Sequence, residues 1–284
     1  MASEHLRADA RDPISGDSVR GNTGGGKPLS CAAPPVTSGG AHPSVAAHAA
    51  LFDGVATRPG LPTSDLPLDA TRQTPARRAS FAWFDAWLGR QDLAGAEALD
   101  LGCGRGEVSV QLALLGAKVT GINAEALPFG DDSFDLAVCA GLMSFVDFDR
   151  TAAELSRVTR RDGTVVILDT LGHNPIARMG RKRRLVHGET TRFQVENIMT
   201  CNHIDRLRAH FGSVDVHTFD LLTLPMIMIE NCLGRIHPRL RHILAPLSKG
   251  LRGLDRIVLK WRPLRRYAFR TVIVLKWPRR HETD

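Results

Sequence analysis

An α/β fold with a doubly wound, mostly parallel sheet is predicted by three features of the sequence. From Arg77 onward, short apolar segments alternate with segments of helical periodicity. The first apolar segment, AEALDLG, leads into three alternating glycines and then into a stretch with helical spacing. Repeated strand-loop-helix units of this kind form parallel sheets with helices on both faces. We therefore predict one such sheet.

The individual elements follow from the spacing of apolar residues and from the turn residues between them. A first helix is predicted where Phe81, Phe84 and Leu88 repeat at helical spacing, and a second follows the glycines and ends at Gly116. A third helix is expected at 151–159 and a turn at Asp162-Gly163. The predicted strands are AEALDLG, AKVTGI, FDLAVCAG, TVVILD, DVHTFDLL and YAFRTVIVLKW.

Composition divides the chain into two parts. Residues 1–76 are rich in Gly, Pro, Ser, Ala and Thr without sustained periodicity, and we predict a largely disordered tail there. Residues 77–284 are predicted to form one domain. The five cysteines show no zinc-ligand spacing, so we expect reduced thiols and no metal. The charged N-terminus and the lack of a long apolar run predict a cytoplasmic protein without a signal peptide or membrane span.

The positive charge of the chain is concentrated near its C-terminus. From Gly234 to Asp284 there are 14 Lys and Arg against 3 Asp and Glu, a net +11, whereas the whole chain carries +7. The remaining residues therefore carry −4. An evenly spread positive charge would favour an anionic partner, but here the basicity belongs to one C-terminal region and not to the whole fold.

The glycine loop has the composition of a ligand site at the end of a strand. Gly102, Gly104 and Gly106 would let a ligand approach the backbone closely. A dinucleotide fingerprint needs a further glycine where this chain has Glu107. Asp100 would repel a pyrophosphate but would attract a cationic ligand. The loop therefore suits a cationic ligand better than a dinucleotide, and a nicotinamide dehydrogenase is the weaker of the possible functions.

Three segments in order resemble the class I methyltransferases that use S-adenosylmethionine (SAM), and among these the type 11 and quinone-biosynthesis enzymes. The segments are LDLGCGRG, ALPFGDDSFDLAVC and AAELSRVTRRDGTVVILD. The resemblance implies a Rossmann-like sheet with a C-terminal antiparallel strand and SAM as the cofactor. It also implies that the cofactor-binding residues are Asp100, Gly102, Cys103, Gly104, Gly106, Asn123, Ala124, Leu127 and Ala140.

The sequence departs from this family after the second strand. VTGIN runs directly into AEALPF, so about two dozen residues for one helix and one edge strand are missing, judged from the usual lengths of such elements. Asn123 stands where the family has an acidic residue for the ribose hydroxyls. An amide makes weaker bonds there than a carboxylate would. The sheet is therefore predicted to be shortened, and a scaffold that has lost SAM binding is the alternative from another functional class.

The acceptor side is predicted at the mouth of the sheet. The loop LGHNP follows the fifth strand of the family fold, so His173 and Asn174 are expected to contact the acceptor, with His173 as the candidate general base. Ser144 stands where many relatives have histidine after the fourth strand, and it is the third acceptor candidate. The implied reaction transfers a methyl group from SAM to an O, N or C atom of an apolar or aromatic small molecule.

A basic amphipathic helical insertion is predicted at about 222–264. Its apolar face holds Leu251, Leu254, Val258 and Trp261, and its basic face holds Arg252, Arg256, Lys260 and Arg262. The favoured interpretation is a lid over an apolar pocket. Peripheral contact with an anionic membrane is the alternative. Nucleic acid is not expected, since few aromatic residues lie among the cations.

Overall fold

The computed structural model of the chain describes residues 77–104, 106–122, 126–236 and 240–279. The predicted tail, residues 1–76, lies outside the described residues, as do Asn123 and Ala124. No described helix is long and apolar enough to cross a membrane. The elements are α1 (Arg78–Leu88), β1 (Glu97–Leu101), α2 (Glu107–Leu114), β2 (Lys118–Ile122), β3 (Phe134–Ala140), α3 (Phe148–Val158), β4 (Thr159–Thr170), α4 (Pro175–Val186), α5 (Arg192–Glu196), α6 (Cys201–His210), β5 (Phe211–Phe219), α7 (Thr223–Ile236), α8 (Leu240–Val258), α9 (Arg262–Arg265) and β6 (Arg270–Pro278).

The described strands form one six-stranded sheet in the order β2-β1-β3-β4-β6-β5. Strands β1 to β4 are parallel, and β6 lies antiparallel between β4 and β5. Between Ile122 and Phe134 only eleven residues connect β2 to β3, too few for another helix and strand. The predicted fold class is therefore confirmed, including the shortened edge and the antiparallel C-terminal strand.

Alternating residues of each central strand bury apolar side chains on opposite faces of the sheet. In β3, Leu136 and Val138 pack with helices α1 and α2, whereas Ala137 and Cys139 pack with α3 and α6. This period of two is the geometry of a strand that is buried on both sides. The resulting three layers leave the carboxyl ends of β1 to β4 along one edge.

The fourth parallel strand begins five residues earlier than the sequence predicts. Thr159 pairs with Phe134 and Thr164 pairs with Leu136, so the residues between them bulge out of the ladder. A Cβ on Gly163 would lie 2.7 Å from the Thr159 side chain, which explains the glycine. The prediction that a turn at Asp162-Gly163 precedes the strand is therefore wrong, because the segment is a bulge inside β4.

Helices α7 and α8 are joined by buried polar contacts. The carboxylate of Asp255 accepts hydrogen bonds from the backbone N–H groups of Leu222 (2.7 Å) and Thr223 (3.1 Å) and from the Thr223 hydroxyl, at the start of α7. The hydroxyl of Ser248 donates to the Glu230 carboxylate, and both residues are buried. The face of α8 that carries Ser248 and Asp255 therefore packs inward.

This packing corrects the predicted orientation of the insertion. The predicted apolar face does not pack as a unit, because Leu251 and Val258 are half-buried whereas Leu254 and Trp261 are 51% and 73% exposed. The basic face is largely exposed, as expected, with only Arg252 half-buried. Helical periodicity identifies an apolar stripe, but polar contacts decide which side of α8 meets the domain.

Replacement of Asp255 by alanine should destabilise the protein by about 1–3 kcal/mol, because buried N–H groups at the start of α7 lose their acceptor. The free energy of unfolding in urea measures this loss. The matched control is Asp162→Ala, which removes an exposed carboxylate and should change stability by less than about 0.5 kcal/mol. Equal effects of the two substitutions would contradict the assigned role of Asp255.

Candidate functional site at the carboxyl edge of the sheet

The glycine loop lies at the carboxyl end of β1, where a parallel sheet presents its ligand sites. Gly102, Gly104 and Gly106 have φ angles of 77°, 51° and 77°, in the left-handed region that favours glycine. Gly106 also precedes the first residue of α2. The loop is thus a sharp reversal that leads from β1 into a helix, and only glycines adopt all three conformations without strain.

The atoms around each glycine show where a larger residue would not fit. A Cβ on Gly102 would lie 3.0–3.2 Å from the side chain of Leu142, whereas a Cβ on Gly106 would meet no atom of a described residue within 4 Å, apart from its chain neighbours and its own helix. Gly121 in β2 is close to the Cys103 side chain, with an ideal Cβ only 3.1 Å from the Cys103 Cβ. Space is therefore open in front of Gly106, and Gly121 accommodates the loop from the neighbouring strand.

Asp100 is a buried carboxylate just before the loop. It is 1% exposed, and the hydroxyl of Ser109 in α2 donates to it at 2.6 Å. Burial raises the pKa of Asp100 to about 6, although hydrogen bonds from Ser109 oppose this increase. A cation held nearby would favour the charged carboxylate. Sequence reasoning identified Asp100 but missed Ser109, nine residues further on.

The other predicted cofactor residues are distributed around the same edge. Cys103 is half-buried in the loop, and Ala140 is half-buried at the end of β3, next to β1 in the sheet. Leu127 is 6% exposed and belongs to the apolar core. The structure thus brings Cys103 and Ala140 to the carboxyl edge. Their contacts with a cofactor, like those of Leu127, remain predictions.

The described part of the connection from β2 to β3 is held by ion pairs of Arg157 that sequence reasoning missed. Arg157 donates from Nη2 to the carbonyl of Leu127 (3.1 Å) and from Nη1 to that of Phe129 (2.8 Å). Glu154 pairs with Arg157 and accepts the backbone N–H of Leu127 at 2.9 Å. Asp131 adds a second carboxylate to Arg157. These side chains therefore provide hydrogen-bond partners for the backbone groups of the connection.

The loop after β3 is tied to the end of β4. Gly141 has a φ of 74°, and the backbone N–H of Met143 donates to the buried Asp169 carboxylate at 3.0 Å. Burial raises the pKa of Asp169. Ser144, the next residue, is half-buried. Ser144 therefore lies in a loop that starts at the carboxyl edge, in agreement with its predicted position, and its contact with an acceptor stays a prediction.

His173 and Asn174 have roles in folding that their sequence positions do not reveal. The Nε2 atom of His173 accepts the backbone N–H of Cys201 at 3.3 Å, at the start of α6. The Oδ1 atom of Asn174 accepts the N–H groups of Ile176 and Ala177 at the start of α4, and its Nδ2 donates to the Tyr267 carbonyl. These bonds favour helix capping for both residues rather than contact with an acceptor.

Buried charges at the same edge were not predicted. Asp220 follows β5, is 2% exposed, and its Oδ2 has no hydrogen-bond partner among the described residues. Burial, and then the nearby Asp255 carboxylate, raise the pKa of Asp220 to about 7. Arg270, at the start of β6, is also buried, and desolvation lowers its pKa to about 10. The sequence does not predict that Asp220 is buried, because an Asp just after a strand is also common in exposed turns.

Comparison with known proteins finds similarity to methyltransferases. A family model described as a methyltransferase domain matches residues 122–167. The chain is 34% identical over 146 residues to a demethylmenaquinone methyltransferase of Mycobacterium marinum, covering 43% of this chain and 58% of the relative. It is 40% identical over 92 residues to a ubiquinone biosynthesis O-methyltransferase of Marinobacter nauticus, covering 30% of this chain and 37% of the relative.

A solved geranyl diphosphate C-methyltransferase from Streptomyces coelicolor aligns with 84% of this chain and 99% of its own length, at 15% identity and a TM-score of 0.49. The chain spans less than two thirds of the length of the curated relatives above. The predicted resemblance to methyltransferases is confirmed. The family model includes the end of β2, the connection held by Arg157 and most of β4.

The Arg157 contacts lead to a test of the connection. Arg157→Lys keeps the charge but removes the fork that reaches two carbonyl groups, so amide hydrogen exchange in residues 126–133 should increase roughly tenfold or more. Mass spectrometry of exchanged peptides measures the change. Arg206→Lys is the matched control, since Arg206 pairs with Asp149 and lies over the ring of Phe148, both at the start of α3 rather than in the connection. Unchanged protection of residues 126–133 would show that Arg157 does not hold this connection in place.

Proposed function

We propose that the protein transfers a methyl group from SAM to an O, N or C atom of an apolar or aromatic small molecule. The observation that carries the proposal is the glycine loop, which combines three left-handed glycines with a buried carboxylate at the end of a parallel strand. The match of a methyltransferase family model to residues 122–167 supports the same activity. The names of the quinone-biosynthesis relatives support an aromatic, apolar acceptor.

The residues of the loop fit the methionine half of SAM. The open space in front of Gly106 admits a ligand close to the backbone, and the Asp100 carboxylate is a counter-charge for an ammonium or sulfonium group. Bound SAM would supply a methyl group made electrophilic by its sulfonium. Gly102 and Gly104 would shape the loop around the ligand, while Asn123 and Ala124 remain proposed contacts for adenosine.

Methyl transfer requires the protein to align the methyl donor with the acceptor and to exclude water; it does not require a nucleophilic side chain. Positive charge disperses as the methyl group moves, so the surrounding residues need only hold donor and acceptor in line. A phenol or alcohol acceptor would also lose a proton. His173 is the predicted base, but its Nε2 already accepts the Cys201 N–H. Asp220, whose Oδ2 accepts no hydrogen bond from a described residue, is the better candidate.

Binding of SAM separates this proposal from a scaffold that keeps the fold without the cofactor. The short connection after β2 and Asn123 motivate that alternative. Titration calorimetry of the full chain with SAM discriminates between the two. Saturable micromolar binding supports the enzyme, whereas no heat and no thermal shift would support the scaffold. Stabilisation by NAD in place of SAM would instead indicate a dehydrogenase.

Asp100→Asn should weaken SAM binding about 10- to 100-fold, the usual contribution of a charge-assisted bond. The same substitution should stabilise the unliganded protein at neutral pH. The folded pKa of about 6 lies above the ordinary 3.8, so the unmodified protein loses stability as pH rises between these values. The gain is at most about 3 kcal/mol. Calorimetry and urea unfolding measure the two effects.

Asp135→Asn provides the control for Asp100→Asn. Asp135 is a carboxylate at the opposite edge of the sheet, paired with Arg160. Desolvation acts to raise its pKa, but hydrogen bonds from Arg160 and from the Glu97 N–H, together with the charge of Arg160, lower it. Its replacement should not alter SAM affinity. For the unmodified protein, SAM affinity should fall as pH drops through about 6 and Asp100 becomes protonated. Equal SAM affinity in Asp100→Asn would remove Asp100 from the cofactor site.

Asp220→Asn tests the acceptor side, using a phenolic acceptor found by screening with labelled SAM. The substitution tolerates the φ of 61° at this position, because asparagine also adopts left-handed conformations. We expect turnover to fall about 10²- to 10⁴-fold with unchanged SAM affinity, and the rise of rate with pH through about 7 to disappear.

His173→Gln is the comparison for Asp220→Asn. It should lower the melting temperature through the start of α6 while it keeps the pH dependence of the rate. The opposite pattern, in which His173→Gln abolishes the pH dependence and Asp220→Asn does not, would return the role of base to His173.

A further inference from the structure

Helix α8 carries an apolar stripe that the rest of the described chain leaves exposed. Four large apolar side chains on this stripe have more than half of their surface in contact with solvent, at a spacing of three, four or seven residues that places them on one side of the helix. They are Leu247 (53%), Leu254 (51%), Ile257 (63%) and Trp261 (73%). The stripe continues past the end of α8 to Trp261. Contiguous exposed patches of this kind mark interaction surfaces.

The orientation of the stripe is fixed rather than accidental. Ser248 and Asp255 hold the opposite side of α8 against Glu230 and the start of α7 through buried hydrogen bonds. Leu259 is buried on the same inner side. A rotation that buried the apolar stripe would expose these polar partners of α7. The stripe therefore faces outward in the folded domain.

Cations lie beside the stripe on the helix surface. Lys249 and Arg256 are exposed and share one face of α8 at a spacing of seven residues, next to the stripe, and the exposed Lys260 follows in the turn just after the helix. No described residue forms a salt bridge with any of the three. The exposed Arg262 adds a fourth charge just after the helix. An apolar stripe bordered by unpaired cations is complementary to a surface with an apolar interior and anionic head groups.

We propose that α8 docks on an anionic lipid bilayer, with the stripe inserted at the level of the head groups. Trp261 and the aliphatic side chains would enter the interface, and the cations would contact the lipid phosphates. A protein partner with one acidic groove would match the charge, but an amphipathic stripe ending in an exposed tryptophan favours the bilayer. The proposal does not depend on methyl transfer, so either can fail without the other.

Flotation of the full chain with vesicles tests the proposal. The protein should float with vesicles that contain phosphatidylglycerol and not with vesicles of phosphatidylcholine alone, and high salt should weaken the binding. The triple variant Lys249→Gln/Arg256→Gln/Lys260→Gln should bind about 100-fold more weakly, since each cation contributes roughly fivefold. Leu254→Gln/Ile257→Gln/Trp261→Gln should lower binding at least about tenfold.

Matched controls distinguish this surface from general charge and hydrophobicity. Lys182→Gln/Arg183→Gln/Arg184→Gln removes as many exposed cations from α4, and Met179→Gln/Val186→Gln/Trp277→Gln removes as many exposed apolar side chains elsewhere. Both controls should float like the unmodified protein, and circular dichroism verifies that every variant is folded. Equal loss of binding in a control would overturn the assignment to α8.

Two other outcomes would also overturn the proposal. Absence of flotation by the full chain would exclude the bilayer, including the case in which another segment of the chain covers the stripe. Analytical ultracentrifugation tests a second copy as the occupant. A dimer that dissociates in Leu254→Gln/Ile257→Gln/Trp261→Gln, together with no vesicle binding, would assign the stripe to self-association.

Discussion

The ion pair between Arg157 and Glu154 holds the described part of the short connection between β2 and β3 against α3. A chain that crosses the face of a sheet without a helix leaves backbone N–H and C=O groups that need partners. Arg157 and Glu154 supply these partners from α3, to Leu127 and Phe129. Because Arg157 and Glu154 are long side chains of α3, they hold residues 126–133, the described part of the connection, which forms no helix or strand.

The contacts of Arg157 and Glu154 also affect the candidate site, because they hold the connection that follows β2. This strand forms the edge of the described sheet and pairs only with β1, so its position depends on β1 and on the connection that follows it. Gly121 of β2 accommodates Cys103, and the carbonyl of Ile122 accepts the N–H of Gly102 at 2.8 Å. The edge strand β2 therefore contacts the glycine loop and helps to hold its conformation. These contacts are present although the sheet lacks the helix and strand that the family has after β2.

The parts of the structure that the sequence predicts are those governed by local pattern. Short apolar runs predicted β1 and β3, and alternating glycines predicted the loop at Gly102, because each signal lies within a few residues. Contacts between distant segments escaped prediction. Asp255 caps a helix that begins about thirty residues earlier, and His173 meets the start of α6. A polar residue in a loop gives the same pattern whether it caps a helix or contacts a ligand.

Asp255 also connects the surface of α8 with the buried charges of the site. The same carboxylate that caps α7 and turns the polar side of α8 inward is close enough to raise the pKa of Asp220. The cationic Arg252 of α8 acts on Asp220 in the opposite direction. A displacement of α8 would move both charges relative to Asp220 and would change the field at its carboxylate. The orientation of the exposed stripe and the protonation of Asp220 therefore depend on one set of contacts.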